Sequence, residues 1–158
     1  MHKIEKKEHF DVIYIEEKNI KVKLINYGAT LVQIQTPNKT GIYEDVLLEY
    51  KNQEDYLSNN IYLNATVGPI AGRIKDGVIK IHDHCYQFNK NDHSLHTLHS
   101  GDQALSFKYF NYNIRDFDSK TEVRFTNQFI LLDDFNIRYE ILYTIEDGQL
   151  SIDFYATP

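Results

Sequence analysis

Cysteine is almost absent from this sequence: Cys85 is the only one in 158 residues. One thiol cannot form an intrachain disulfide, so nothing points to a disulfide-stapled secreted domain. Long apolar runs are missing too. No uninterrupted stretch approaches the roughly 20 residues of a membrane-spanning helix. The opening "MHKIEKKEHF" is too charged for a secretory signal. A soluble cytoplasmic protein without a membrane partner is the expectation. Clustered positive charge is also lacking. Lys and Arg number 17 against 23 Asp and Glu, a net charge of −6, and the lysines are spread along the chain. Nucleic-acid backbones select for clustered basic residues, so nucleic acid is not an expected partner. The densest basic run, "HKIEKKEH", interleaves lysine with glutamate and reads as a solvated terminus. No low-complexity linker or fixed repeat interrupts the chain, which predicts one domain over residues 1–158.

What the chain does have is aromatic and alternating. Twelve tyrosines and nine phenylalanines bring the aromatic share to 13%, and an apolar share of 42% suits a folded core rather than a disordered chain. Period-2 alternation of β-branched and aromatic residues predicts strands at 11–17, 20–27, 30–37, 44–50, 77–83 and 85–90. Further strands are predicted at 107–116, 122–130, 138–147 and 150–156. Turn signals separate them at "PNKTG" (37–41), "DSKT" (118–121) and "EDGQ" (146–149). Asp147-Gly148 between two alternating runs is a hairpin signal. The one helical candidate is a short turn at "NQEDYLSNN" (52–60). Strands with one wet face and short connections predict an all-β fold, an antiparallel sandwich or barrel.

Chemistry concentrates between residues 64 and 101. In "GPIAGRIKDG" (68–77), the bland reading is a turn at Asp76-Gly77 with Arg73 solvated beside Asp76. The functional reading has Gly68 and Gly72 letting a ligand approach the backbone. Arg73 would then offer its planar fork of donors to hydroxyl or carboxylate oxygens. Five histidines follow: His82, His84, His93, His96 and His99. His82 and His84, two apart on a predicted strand, share a face and with Cys85 suggest zinc. Against that, Cys85 falls on the opposite face and no Cys-x2-Cys or His-Glu-x-x-His spacing appears, so no metal site is predicted. A histidine near a guanidinium is pushed toward its neutral form, which both donates and accepts.

Four blocks in order and spacing, "NYGATLVQIQTPNKTG" (26–41), "DVLLEYKNQEDYL" (45–57), "NATVGPIAGRIKDGVIKI" (64–81) and "LHTLHSG" (95–101), resemble the N-terminal half of the aldose 1-epimerases, the galactose mutarotases. The hairpin "RYEILYTIEDGQLSIDFYAT" also resembles one in that family. The resemblance implies a large antiparallel β-sandwich, of which this chain would be the N-terminal portion. It also implies interconversion of the α and β anomers of an aldose such as galactose or glucose, without a cofactor. A carboxylate base takes the anomeric hydroxyl proton, a histidine acid protonates the ring oxygen, and the opened aldehyde rotates and recloses.

By the same resemblance Arg73 and His99 bind sugar hydroxyls. The sequence departs from the family pattern at Gly72, where many relatives have asparagine, and at Ser100, where they have a second glycine. The family's acid histidine and glutamate base fall beyond the strand matching "LSIDFYAT", so none of the residues present is assigned a catalytic role. The 158-residue chain by itself is expected to be inactive. Strands such as "YEILYTI" and "LSIDFYA" would need cover, from a homo-oligomer or a separate C-terminal half. Two other readings stand beside this one: a non-catalytic carbohydrate-binding module using the same arginine and histidine, and a metal-binding β-domain built on His82, His84 and Cys85.

Overall fold

The computed structural model describes residues 1–131 and 135–158. Along the first third of the chain, alternation becomes an antiparallel meander. Its strands are β1 (His2–Lys6), β2 (Asp11–Glu17), β3 (Ile20–Ile25), β4 (Thr30–Pro37) and β5 (Tyr43–Asp45), in that spatial order. Four short strands follow: β6 (Arg73–Ile74), β7 (Val78–Ile81), β8 (His84–Gln87) and β9 (Thr97–Leu98). Of these, β6 pairs with β9 and β7 with β8. A second meander closes the fold, with β10 (Asn111–Asp116), β11 (Lys120–Leu131), β12 (Phe135–Glu146) and β13 (Gln149–Thr157) side by side.

The two meanders pack face to face. Ile13, Ile15, Val22 and Leu24 from the first join Val123, Phe125, Ile141, Tyr143 and Ile145 from the second in one core. Burying each such aliphatic or aromatic side chain contributes about 1.5–3 kcal/mol. The Tyr143 hydroxyl stays satisfied in this core by donating to the Ala29 carbonyl at 2.7 Å. Because successive strand residues point to opposite faces, Val12 and Ile25 look away from that core. They pack with Phe10, Tyr27, Val32 and Tyr56 under a 3-10 turn at Gln53–Ser58. Asn52 caps this turn by accepting the Glu54 N–H. Of the sandwich and the barrel that the alternation left open, the fold is the antiparallel β-sandwich that the family resemblance implied.

A bulge lets β4 serve both cores. Pairing steps from Lys23↔Gln33 to Leu24↔Leu31, leaving Val32 as the extra residue. Leu31 and Ile34 thereby pack against the inter-sheet core although three residues apart, while Val32 enters the other.

Several expectations change. The N-terminal run read as solvated is exposed along most of its length, yet it forms β1, paired residue for residue with β2 from His2↔Ile15 to Lys6↔Asp11. It is an edge strand, where charge protects the unpaired side from further pairing. The strand expected at 44–50 stops at Asp45, and the one expected at 107–116 begins at Asn111 after a 3-10 turn. "YEILYTI" buries its inward residues after all: Tyr139, Ile141, Tyr143 and Ile145 lie in the inter-sheet core. "LSIDFYA" does so only at Leu150, which packs against that core, while Phe154 is 63% exposed on the edge strand β13. No helix of the described residues is long and apolar enough to cross a membrane.

Candidate sugar-binding site

The four short strands form an annex at one end of the sandwich. Ile74 and Phe88 are buried there with Ile70, Ile79 and Tyr86 against Phe129 and Ile137 of the second sheet. This small core fixes β6, and therefore Arg73. Register places Arg73 opposite Leu98 and Ile74 opposite Thr97, so His99 directly follows the paired segment.

His99 is bound to Gly72 twice. Its backbone N–H donates to the Gly72 carbonyl at 2.9 Å, and its Nδ1 accepts the Gly72 N–H at 3.0 Å. An Nδ1 that accepts cannot carry the proton of a neutral ring, so the proton is assigned to Nε2. Burial and the Arg73 guanidinium both push the imidazole below its ordinary pKa, which keeps this neutral form at pH 7. The edge of the ring meets Tyr62, with centroids 4.7 Å apart and planes at 75°. Asn91 holds Tyr62 in turn, donating to its hydroxyl at 3.3 Å and bonding both the N–H and carbonyl of Leu98.

Arg73 is mostly exposed, yet its Nε donates to Asp92 Oδ2 at 2.6 Å. That hydrogen bond holds the Asp92 carboxyl below the usual carboxylate range. The bland sequence reading had Arg73 solvated beside Asp76; the structure pairs it with Asp92, because the β8–β9 loop folds back beside β6. The Asp76 N–H donates to His96 Nδ1 at 3.1 Å, with the Asp76 carboxylate 4.0 Å from the same nitrogen.

The two glycines divide their work. Gly72 has φ +88° with open space where a Cβ would stand, so backbone conformation and free access coincide there. Gly68 instead answers to packing, since a Cβ would stand 2.8 Å from Leu105 Cδ1. Ser100, fully buried with φ 68°, adopts the left-handed conformation that a glycine would take without strain. Its hydroxyl compensates by accepting the Ile70 N–H at 2.9 Å and donating to the Ile70 carbonyl at 3.2 Å.

The other histidines scatter. His82 lies in the β7–β8 turn with φ 54°, not on a strand, so it shares no strand face with His84. His84 and Cys85 are exposed on β8, and the His93 side chain is 86% exposed. Among the described residues no three of His, Cys, Asp and Glu converge as metal ligands. Asp92, Tyr62, Asn91 and Ser100 were not singled out as site residues from sequence. Their roles arise from contacts between loops, which local patterning does not encode.

This architecture is the galactose mutarotase-like sandwich. The galactose 1-epimerase from Lactobacillus acidophilus NCFM aligns over 99% of this chain and 48% of its own, with a TM-score of 0.81 and 23% identity. The Aldose 1-epimerase family model matches residues 11–158, and the chain belongs to that family. A probable aldose 1-epimerase of Arthroderma benhamiae is 35% identical over 95 residues, covering 57% of this chain and 22% of the relative. An aldose 1-epimerase of Streptococcus thermophilus is 28% identical over 114 residues, covering 72% and 32%. The chain thus spans between about a fifth and a third of these curated relatives.

Proposed function

We propose that the chain holds an aldose for anomer exchange, with Arg73 and His99 gripping its hydroxyls. The observation that supports this reading is their arrangement at one end of the β6–β9 pair, Arg73 on β6 and His99 directly after β9. The guanidinium stands largely in solvent, and the imidazole has its Nδ1 tied to backbone and its Nε2 proton left to donate. A neutral sugar offers no charge to grip, so fixed donors must recognise it. Galactose and glucose are the proposed substrates, and residues 1–158 act as one domain.

The same electrostatics assign no proton transfer to these residues. A general acid or base works best with a pKa near the operating pH. Asp92, held low by Arg73, is a weak base, and His99, held low by burial and Arg73, carries little of the protonated form at pH 7 that a general acid would need. The acid and base of ring opening therefore come from outside this set, supplied by a longer chain, a separate C-terminal half or another copy.

The test pairs two measurements on the 158-residue chain. Titration with D-galactose followed by NMR should move the resonances of Arg73, His99 and Gly72. Polarimetry on freshly dissolved α-D-galactose should show relaxation at the buffer rate. Shifts confined to other parts of the fold would overturn the site. Acceleration comparable with a complete mutarotase would overturn the division of labour.

A further inference from the structure

The geometry points to Asp92 as the positioning residue of Arg73, an inference that rests on the reading of Arg73 as a sugar-gripping side chain. Aspartate is seldom buried without a partner, yet Asp92 is 8% exposed in a loop whose neighbour His93 stands in solvent. The backbone around it is stapled. Asp92 N–H donates to the His96 carbonyl at 3.0 Å, and the N–H groups of Leu95 and His96 return to the Asp92 carbonyl at 3.0 and 3.1 Å. His93 and Ser94 make this reversal by adopting positive φ. The loop is then pinned beside β6, because His96 Nδ1 accepts the Asp76 N–H. The carboxylate is thus fixed before Arg73 meets it.

The atom it engages matters. Nε carries one of the five guanidinium N–H donors and sits at the stem end of the plane. A bond there orients the plane and leaves the four N–H groups of Nη1 and Nη2 outside it, as a fork that can meet two vicinal hydroxyls. A carboxylate across Nη1 and Nη2 would have consumed that fork. Without Asp92, a long exposed side chain would have to be ordered by the sugar itself.

The test is a double-mutant cycle on the 158-residue chain, with D-galactose affinity read by NMR titration and the Arg73 Nε–H resonance as a ligand-free signature. Asp92→Asn, which keeps shape and loses charge, should weaken galactose about three- to tenfold and shift the Nε–H resonance. Asp92→Glu should restore the Nε–H signature in part. In an Arg73→Ala background Asp92→Asn should have no further effect. Equal weakening in that background would show that Asp92 acts on the loop rather than through Arg73, and would overturn the proposal. Unchanged affinity in Asp92→Asn, with weakening in Arg73→Ala, would overturn it and leave the sugar site standing. Unchanged affinity in Arg73→Ala, or no galactose binding by the unmodified chain, would remove the sugar-site reading and this role with it. An unshifted Nε–H resonance in Asp92→Asn would overturn the positioning contact irrespective of sugar.

Discussion

His99 Nδ1 accepts the Gly72 N–H at 3.0 Å while the His99 N–H donates to the Gly72 carbonyl at 2.9 Å. This reciprocal pair joins the start of β6 to the end of β9, and it requires an unprotonated Nδ1. Burial and then the Arg73 charge lower the His99 pKa beneath the ordinary value of about 6.5.

Acid should therefore weaken the fold through His99. With the folded pKa below the unfolded one, the contribution is fully present above about pH 6.5 and is lost as pH falls through the folded value. Melting temperatures of the wild type and His99→Gln should differ most near pH 7 and converge on acidification. A constant difference across that window would mean that His99 does not titrate as its contacts require.

Arg73→Ala should weaken D-galactose roughly tenfold or more, since hydrogen bonds from a charged donor are worth about 1.5–3 kcal/mol. Arg73→Lys should recover little. Lysine has neither the planar fork nor a stem nitrogen to bond Asp92. NMR titration measures both, and full recovery by lysine would reduce the role of Arg73 to charge alone.

Ser100 separates strain from hydrogen bonding. Ser100→Ala keeps the left-handed backbone and loses both bonds to Ile70, and should destabilise by about 1–3 kcal/mol. Ser100→Gly loses the same bonds but relieves roughly 1–2 kcal/mol of backbone strain. Urea denaturation should rank the wild type above or near Ser100→Gly, with Ser100→Ala lowest. The reverse order of the two variants would show that φ 68° costs nothing here.

Along β13, Ile152 is 37%, Phe154 63% and Tyr155 50% exposed, and the strand is the edge of its sheet among the described residues. Exposed apolar side chains on a long unpaired edge invite association. Light scattering on the 158-residue chain should show concentration-dependent oligomers, and Phe154→Lys should shift them toward monomer with little change in melting temperature. A monomer at every concentration, without binding of a surface-sensitive dye, would contradict this.

Short-range physics was legible in the sequence. Alternation identified β2, β4, β11 and β12, because one-sided burial imposes period two on the residues themselves. Asp147-Gly148 identified the β12–β13 hairpin, and both residues do take positive φ, 49° and 78°, which a two-residue turn with this twist demands. Arg73 stood out by its place in a glycine-rich segment, whereas the choice of His99 among five histidines came only through resemblance to a known family.

What tertiary structure decided was everything carried by contacts between distant segments. β1 has no apolar face, so its pairing with β2 left no periodic trace. The Val32 bulge is invisible locally because Leu31, Val32 and Ile34 are equally apolar; only the two cores distinguish them. Asp76, three residues from Arg73, was the nearest partner in sequence, but the folded β8–β9 loop brings Asp92 to Nε. Local preference sets which backbone shapes are cheap, whereas ion-pair choice depends on which loops the core brings together.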